Sequence, residues 1–126
     1  MNINTRNLLL NIKNNSIIKK GGFYSKFSKQ NLILLELLYN QGFIQSFRVL
    51  KSSSQIYIFL RYLDNKSVFN HFKILSNSLN LKNLNYLELS KLFNKRFVLF
   101  LFTNKGLITS YECKKYKIGG KSLFFC

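Results

Sequence analysis

The sequence predicts an α+β protein built from two small lobes. Its 126 residues allow one compact domain or two small lobes. The first half mixes helical periodicity with alternating apolar residues, whereas the second half mostly alternates and has short helical stretches. A polar break at 64–66 marks the predicted boundary. We therefore expect an α/β lobe at 1–64 and a mostly antiparallel β lobe with short helices at 65–126.

The N-terminal lobe is predicted to run helix, strand, helix, strand, strand. Residues 5–14 carry apolar side chains at helical spacing, so they predict a short first helix. Ile17 and Ile18 are predicted to begin a short strand, which the glycine pair at 21–22 ends in a turn.

The second helix has both a start signal and a stop signal. Ser28 is predicted to cap a helix over 29–41, and Gly42 ends it because glycine enters the left-handed conformation freely. The alternating stretches at 43–49 and 55–62 then predict two strands of a hairpin.

The C-terminal lobe is predicted around one strand, 97–103, which is apolar on both faces and should be buried at the centre of its sheet. The other predicted elements are a weak strand at 68–75, a turn at 77–78, a helix within 87–94, a tight turn at 104–106, a return strand at 107–109 and a last strand at 122–126.

The charge balance points to a polyanionic partner. Lys and Arg total 20 against 4 Asp and Glu, which gives a formal net charge of +16. Such a chain repels itself when compact, and nucleic acid is the commonest partner that relieves this. Because 47% of the residues are hydrophobic and 16% aromatic, we expect a folded core rather than a disordered basic tail.

The composition also indicates where the chain is encoded. There are 16 Asn and 16 Lys but no Pro, Ala or Trp, a pattern that AT-rich coding produces and folding does not require. We interpret this as an organelle genome, with a mitochondrion as the expected location. A plastid, an AT-rich nucleus or an AT-rich endosymbiont stays open. The N-terminus does not resemble a targeting segment, which favours synthesis inside the organelle.

Catalytic and metal-binding patterns are not recognisable in the sequence. The single histidine, His71, has no acidic residue near it in sequence, and the four acids are scattered. Cys113 and Cys126 are too few for a zinc pattern, so they form either a disulfide or, as we expect, two free buried thiols. We expect no enzyme activity, cofactor, metal or small-molecule substrate.

Two other classes remain as alternatives. The longest apolar run, 97–102, is six residues and too short to span a membrane. A basic amphipathic protein that binds a membrane surface would use 29–41, although its polar face carries only Lys29 and Glu36. A fragment of an RNA-modifying or intron-processing enzyme is the other alternative function, although the sequence shows no acidic, histidine or metal-binding constellation that would support it.

Basic groups cluster near predicted turns, beside a neutral polar loop. Lysines there would contact phosphates, which gives affinity without sequence specificity. Reading RNA needs small polar side chains and backbone near base edges, and Thr103-Asn104-Lys105-Gly106 offers both. The clusters are Lys19-Lys20, Lys95-Arg96, Lys114-Lys115-Lys117 and Lys121.

A family resemblance rests on these same residues. Phe102 to Thr109, followed by Ile118-Gly119-Gly120, resembles the signature Ser-Thr-Ser-Lys-Gly-Val-Met-Thr and Leu-Gly-Gly of ribosomal protein S-eight, a bacterial-type small-subunit protein. Gly42-Phe43-Ile44 is similar to the family's Gly-Phe-Ile, and residues 9–14 are similar to its first helix.

The resemblance implies a two-lobed, early-assembling structural protein. Its implied partners are the central domain of small-subunit rRNA, which it would bind directly, and neighbouring small-subunit ribosomal proteins. We expect no membrane among its partners. The implied RNA-binding residues are the loop Thr103, Asn104, Lys105 and Gly106, the basic Lys114, Lys115 and Lys121, the close-approach glycines Gly119 and Gly120, and Asn11, Lys13 and Asn14 of the first helix.

Three residues depart from the family pattern. Phe102 replaces a serine, so its ring either stacks on a base or enters the core. Asn104 replaces a second serine and keeps the capacity for hydrogen bonds. Lys121 stands where an acidic residue is usual in the family. A contact that relied on the carboxylate is lost, and the lysine is expected to contact a phosphate instead.

Overall fold

A computed structural model of the chain describes residues 3–69, 71–74, 83–92 and 98–126. Helices and strands are mixed along the chain, which confirms the predicted α+β class. The chain divides between residues 70 and 71 into two compact units, which we call the N-terminal unit and the C-terminal unit. The predicted separation into lobes at 64 stays a prediction.

The N-terminal unit follows the predicted order of helix, strand, helix, strand, strand and adds a small hairpin. Its elements are α1 (Ile3–Ile17), β1 (Gly22–Lys26), α2 (Lys29–Asn40), β2 (Ile44–Leu50), β3 (Gln55–Leu60), β4 (Tyr62–Leu63) and β5 (Lys66–Ser67).

The first helix is longer than its sequence pattern predicts, and the predicted strand at Ile17 and Ile18 is wrong. Ile17 ends α1, and Ile18 still donates its backbone N–H to Asn14 at 3.4 Å. Lys19 then has a φ of 56°, which stops the helix. The strand begins at Gly22 instead, because the predicted turn glycine pairs in the sheet.

The second helix has both predicted caps. The Ser28 hydroxyl accepts the N–H of Asn31 at 3.1 Å. At the other end Gly42 has a φ of +78°, and Phe43 donates its N–H to Leu38 at 2.9 Å in a Schellman arrangement. Between the caps, the apolar stripe of α2 is fully buried at Leu34, Leu35 and Leu38.

Strands β1, β3 and β2 form an antiparallel sheet in that order, which confirms the predicted hairpin between β2 and β3. One face of β3 is buried, as expected from the alternation in 55–62, since Ile56 and Ile58 are fully buried. The register shifts between Ile44 and Ser46, so Gln45 forms a bulge in β2.

The polar break predicted to separate the lobes is a tight turn inside the N-terminal unit. Asp64 and Asn65 have φ values of 49° and 61°, as a two-residue hairpin turn requires, and Leu63 pairs with Lys66 across it. Short polar side chains tolerate this conformation better than other residues do.

The C-terminal unit contains a second, larger antiparallel sheet, in which the strand at 99–103 has a neighbour on each side. Strands β6, β10, β8 and β9 are neighbours in that order, and β7 also pairs with β10. The elements of this unit are β6 (Lys73–Ile74), β7 (Asn83–Leu84), α3 (Tyr86–Leu92), β8 (Leu99–Thr103), β9 (Gly106–Thr109), α4 (Ser110–Tyr116) and β10 (Gly120–Phe125).

The two faces of β8 differ in what covers them. Leu101 belongs to a buried cluster with Leu89 of α3 and Cys113 of α4. On the other face, Phe100 stacks on Phe124 with ring centroids 4.5 Å apart. The prediction of a buried central strand is therefore confirmed at Phe100 and Leu101, whereas Phe102 of the same strand is exposed.

Two sequence predictions in this unit need correction or fall outside the described residues. The continuous strand predicted over 68–75 is wrong, because only Lys73–Ile74 is a strand in the described part of that range. The predicted turn at 77–78 and residues 93–94 of the predicted helix lie outside the described residues.

Candidate nucleic-acid interface

A tight hairpin between β8 and β9 forms the centre of the candidate site. Thr103 and Gly106 are the last paired residues of the two strands, so Asn104 and Lys105 project at the tip, and both are exposed. Gly106 has a φ of +96°, which favours glycine at this position. The predicted turn and return strand are therefore both confirmed.

The Thr103 side chain shapes this hairpin from within. It is only 8% exposed. Its hydroxyl donates to the carbonyl of Gly106 at 3.1 Å and accepts the N–H of Lys105 at 3.2 Å. The hydroxyl proton is therefore committed to the turn, and the polar side chains presented outward are those of Asn104 and Lys105.

Helix α4 follows directly and was not predicted from the sequence. Its start is a capping box: the Thr109 hydroxyl accepts the N–H of Glu112 at 3.4 Å, and the Glu112 carboxylate accepts the N–H of Thr109 at 3.2 Å. The Thr-x-x-Glu spacing at 109–112 is the sequence signal that indicates it. The predicted basic cluster at 114–117 therefore lies on the end of a helix.

This helix brings lysines and an aromatic ring to the hairpin. The Nζ atom of Lys105 lies 4.0 Å from the centroid of the Tyr116 ring, and that of Lys115 lies 5.9 Å from the same centroid. Lys114 and Lys115 are exposed in the last turn of α4. The structure thus brings Lys105 of the predicted loop and Lys115 of the predicted basic cluster to the same ring, that of Tyr116.

The acidic groups of this unit are few, and each lies near the start of a helix. Glu112 is held at the start of α4, and the Glu88 carboxylate accepts the backbone N–H of Asn85 at 3.1 Å near the start of α3. These are the two acids among residues 71–126. Both accept a backbone N–H at a helix start, and ten Lys and Arg stand against these two acids over 71–126, so this half of the sequence carries a net positive charge.

The two close-approach glycines bring β10 against its neighbours. A Cβ atom on Gly120 would lie 2.5 Å from Cγ2 of Thr103 and 2.8 Å from the carbonyl oxygen of Phe102. A Cβ atom on Gly119 would overlap the carbonyl oxygen of Leu84. The structure therefore gives Gly120 a role in packing directly against the hairpin.

Phe102 lies outside the core. It is 57% exposed and stands on the face of β8 opposite to Leu101 and Thr103. Its register partner on β10 is Lys121, which is also exposed. An exposed ring and a lysine therefore stand side by side on one face of the sheet, near the hairpin tip.

The three predicted residues of the first helix lie in the other unit. Asn11 and Asn14 are exposed on α1, and Lys13 is partly buried. Asn11 also lines a cleft of about 290 Å³ between α1 and β1. The Asn31 carboxamide oxygen is buried and accepts no hydrogen bond from the described part of the chain.

Neither a metal centre nor a membrane span is found within the described ranges. Over 3–69, 71–74, 83–92 and 98–126, no three His, Cys, Asp or Glu side chains are grouped so that they could hold a metal ion. None of the helices described there combines the length and the hydropathy needed to cross a bilayer. The two cysteines are free and buried, as expected.

The comparisons with known proteins agree on one family. The model of the family "Ribosomal protein S8" matches residues 4–126. The chain is 33% identical over 98 residues to "Small ribosomal subunit protein uS8m" of Acanthamoeba castellanii, covering 76% of each chain. It is 30% identical over 118 residues to "Small ribosomal subunit protein uS8" of Borrelia garinii subsp. bavariensis, covering 90% of this chain and 89% of that protein.

A third relative extends the match along nearly the whole length. "Small ribosomal subunit protein uS8" of Malacoplasma penetrans is 29% identical over 121 residues, which is 94% of this chain and 92% of that protein. These matches confirm the resemblance inferred from the hairpin signature, the glycine pair and the first helix. The chain belongs to the ribosomal protein S8 family.

Proposed function

We propose that the chain is a non-catalytic constituent of the small subunit of an organellar ribosome, and that it binds the central domain of small-subunit rRNA directly. In this role it supports subunit assembly and translation, in contact with neighbouring ribosomal proteins. Membership of a ribosomal protein family supports the proposal. The observation that carries it is the exposed tip of the β8–β9 hairpin, whose Lys105 shares the Tyr116 ring with Lys115, in a unit with ten Lys and Arg against two acids.

The hairpin tip is suited to read an irregular or partly unpaired RNA segment. Asn104 offers a carboxamide with two donors and an acceptor for exposed base edges. Thr103 fixes the shape of the turn through its two hydrogen bonds. The loop is therefore already ordered before it binds RNA, and binding costs less conformational entropy. Lys105 lies against the Tyr116 ring, which holds its charge beside Asn104.

The surrounding lysines supply affinity rather than specificity. Lys114 and Lys115 on α4 and Lys121 on β10 are exposed and would contact phosphates. Each phosphate contact releases condensed counterions, so the affinity should fall steeply with salt. Through Asn11, Lys13 and Asn14, helix α1 would contact a second rRNA segment.

Mitochondria are the proposed location. The composition, rich in Asn and Lys without Ala or Pro, indicates AT-rich coding. The similarity to the Acanthamoeba castellanii protein named uS8m supports a mitochondrial ribosome over a plastid one.

The packing of α2 argues against the membrane-surface alternative. The helix buries Leu34, Leu35 and Leu38 within its own unit. Its exposed side carries Ile33 beside Glu36 rather than a row of lysines. To present its leucine face to lipid, α2 would have to detach from the rest of its unit.

A competition assay tests the proposed function. The purified chain is bound to a labelled central-domain rRNA fragment while unlabelled tRNA is added as a non-specific competitor. We expect the fragment to be retained at a large excess of tRNA, because hairpin contacts add to the phosphate contacts. Equal competition by tRNA and by the unlabelled fragment would refute the proposal.

A further inference from the structure

The outward face of the N-terminal sheet carries three aromatic rings in contact. Tyr24 of β1 pairs in register with Tyr57 of β3, and Phe59 follows two residues later on the same face. The ring centroids of Tyr24 and Tyr57 lie 4.7 Å apart, as do those of Tyr57 and Phe59. We call Tyr24, Tyr57 and Phe59 the aromatic platform.

The platform is on the surface of its unit rather than in the core. Tyr24 is 61% exposed and Phe59 is 38% exposed, whereas Ile58 between Tyr57 and Phe59 is fully buried on the opposite face. Cross-strand pairing of aromatic residues stabilises a sheet, but it does not require their rings to remain open on one side. A contiguous patch of this kind indicates a binding surface.

A glycine sets the position of the central ring. A Cβ atom on Gly22 would lie 2.7 Å from the Tyr57 hydroxyl oxygen and 2.8 Å from its Cε1 atom. The Tyr57 ring therefore lies across the Gly22 backbone, where any larger residue would displace it. Because the ring is already fixed between Tyr24 and Phe59, it loses little conformational freedom on binding.

The charge around the platform is positive. Arg48 of β2 is the register partner of Tyr57 on its other side, and Lys26 follows Tyr24 on the same face of β1. Strands β1, β2 and β3 contain no acidic residue. A row of aromatic rings between cations is the arrangement with which sheet proteins bind unpaired bases, by stacking on rings and pairing phosphates with lysine or arginine.

We propose that the aromatic platform is a second RNA-binding surface, which takes a short run of unpaired bases by stacking, with Arg48 and Lys26 on the flanking phosphates. This surface belongs to the N-terminal unit and does not depend on the role proposed for the β8–β9 hairpin. Stacking is tolerant of sequence, so the platform would anchor single-stranded rRNA without selecting it.

A binding assay with two probes tests this surface. The full chain is titrated with a single-stranded oligouridylate of about twelve nucleotides and with an RNA duplex of the same length. Tyr24→Leu and Phe59→Leu keep an apolar side chain but remove a ring, and each should weaken oligouridylate binding by about five-fold or more. Binding to the duplex should not change, because its bases are not available for stacking.

Matched controls separate stacking from general damage. Tyr39→Leu removes a ring of similar exposure, 52%, that contacts Phe47 from α2 rather than the platform, and it should bind both probes as the wild type does. Because the platform does not select sequence, Tyr24→Leu and Phe59→Leu should keep the preference for the central-domain fragment over tRNA that tests the hairpin, so failure of one proposal is distinguishable from failure of the other. Wild-type affinity of both platform variants for oligouridylate would overturn the proposal.

Crosslink mapping on the unaltered protein gives a measurement that does not depend on how variants fold. Ultraviolet crosslinks from the oligouridylate should fall on peptides that contain Tyr24 or Tyr57. Crosslinks confined to residues 71–126, or burial of this face by another protein in the assembled subunit, would overturn the proposal.

Discussion

The ammonium group of Lys105 lies 4.0 Å from the centroid of the Tyr116 ring, and this contact joins the tip of the β8–β9 hairpin to the end of α4. Strand β9 and the preceding turns of α4 lie between the two residues in sequence. The capping box of Thr109 and Glu112 makes the contact possible, because it starts α4 immediately after β9. The hairpin and the helix therefore act as one preformed surface.

Removal of the Tyr116 ring should loosen Lys105. Tyr116→Leu is expected to lower affinity for the central-domain fragment about two- to five-fold, since an exposed cation–π contact contributes about 0.5–1 kcal/mol. Fluorescence anisotropy with the labelled fragment measures this. Tyr116→Phe keeps the ring and should bind as the wild type does; an equal loss in both variants would show that the hydroxyl group matters rather than the ring.

Loss of the Thr103 hydroxyl should disorder the hairpin tip. Thr103→Val keeps the shape of the side chain but removes both hydrogen bonds within the turn, at a cost of about 1 kcal/mol or more. We expect weaker binding to the central-domain fragment and unchanged binding to tRNA. Amide hydrogen exchange at Lys105 should accelerate in parallel, and unchanged exchange would contradict the role of Thr103 in shaping the loop.

Two glycine substitutions should have different effects on stability. Gly120→Ala places a methyl group against Thr103 and the Phe102 backbone, so we expect a loss of about 1–3 kcal/mol in the free energy of unfolding. Gly21→Ala meets nothing within 4 Å and should be neutral or slightly stabilising. Chemical denaturation measures both, and equal effects would contradict the close approach of β10 to the hairpin.

The buried thiols should be unreactive and should make the fold sensitive to alkali. Burial raises the pKa of Cys126 far above its ordinary value of 9.0, and burial followed by the nearby Glu112 carboxylate raises the pKa of Cys113. Above about pH 9 a thiol of the unfolded chain loses its proton while the folded thiol keeps it, so stability is retained at lower pH and falls as the pH rises.

This pH dependence is measured by denaturation between about pH 7 and pH 11. The alkaline loss of stability should be smaller in Cys126→Ala than in the wild type. Maleimide should label neither thiol quickly at neutral pH in the folded protein and should label both in denaturant. Rapid labelling of the folded chain would contradict the buried position of both side chains.

Local signals in the sequence predicted several elements correctly. The Ser28 cap and the Gly42 stop define α2, because capping depends on a few adjacent residues. The alternation at 55–62 predicted the hairpin strand β3, observed at Gln55–Leu60, because successive side chains of a strand face opposite sides of the sheet. The tight turn at 104–106 followed from its glycine.

Other features depended on contacts that sequence patterns do not contain. The start of β1 at Gly22 is set by pairing with Phe59, and the sequence alone indicated a turn there. Exposure of Phe102 depends on which face of β8 meets α3 and α4. The contact between Lys105 and Tyr116 requires α4, a helix that only the Thr-x-x-Glu spacing at 109–112 indicates in the sequence.

The proposal that the β8–β9 hairpin reads rRNA is tested by the salt dependence of binding to the central-domain fragment, compared between Asn104→Ala and Lys114→Ala. Asn104→Ala should lose affinity for the fragment at every salt concentration, with the salt slope and the tRNA affinity unchanged. Lys114→Ala should lose affinity for both RNAs and flatten the salt slope by about one unit or slightly less. If Asn104→Ala instead binds the fragment as the wild type does, or lowers fragment and tRNA binding alike, the hairpin does not read rRNA and the account is contradicted.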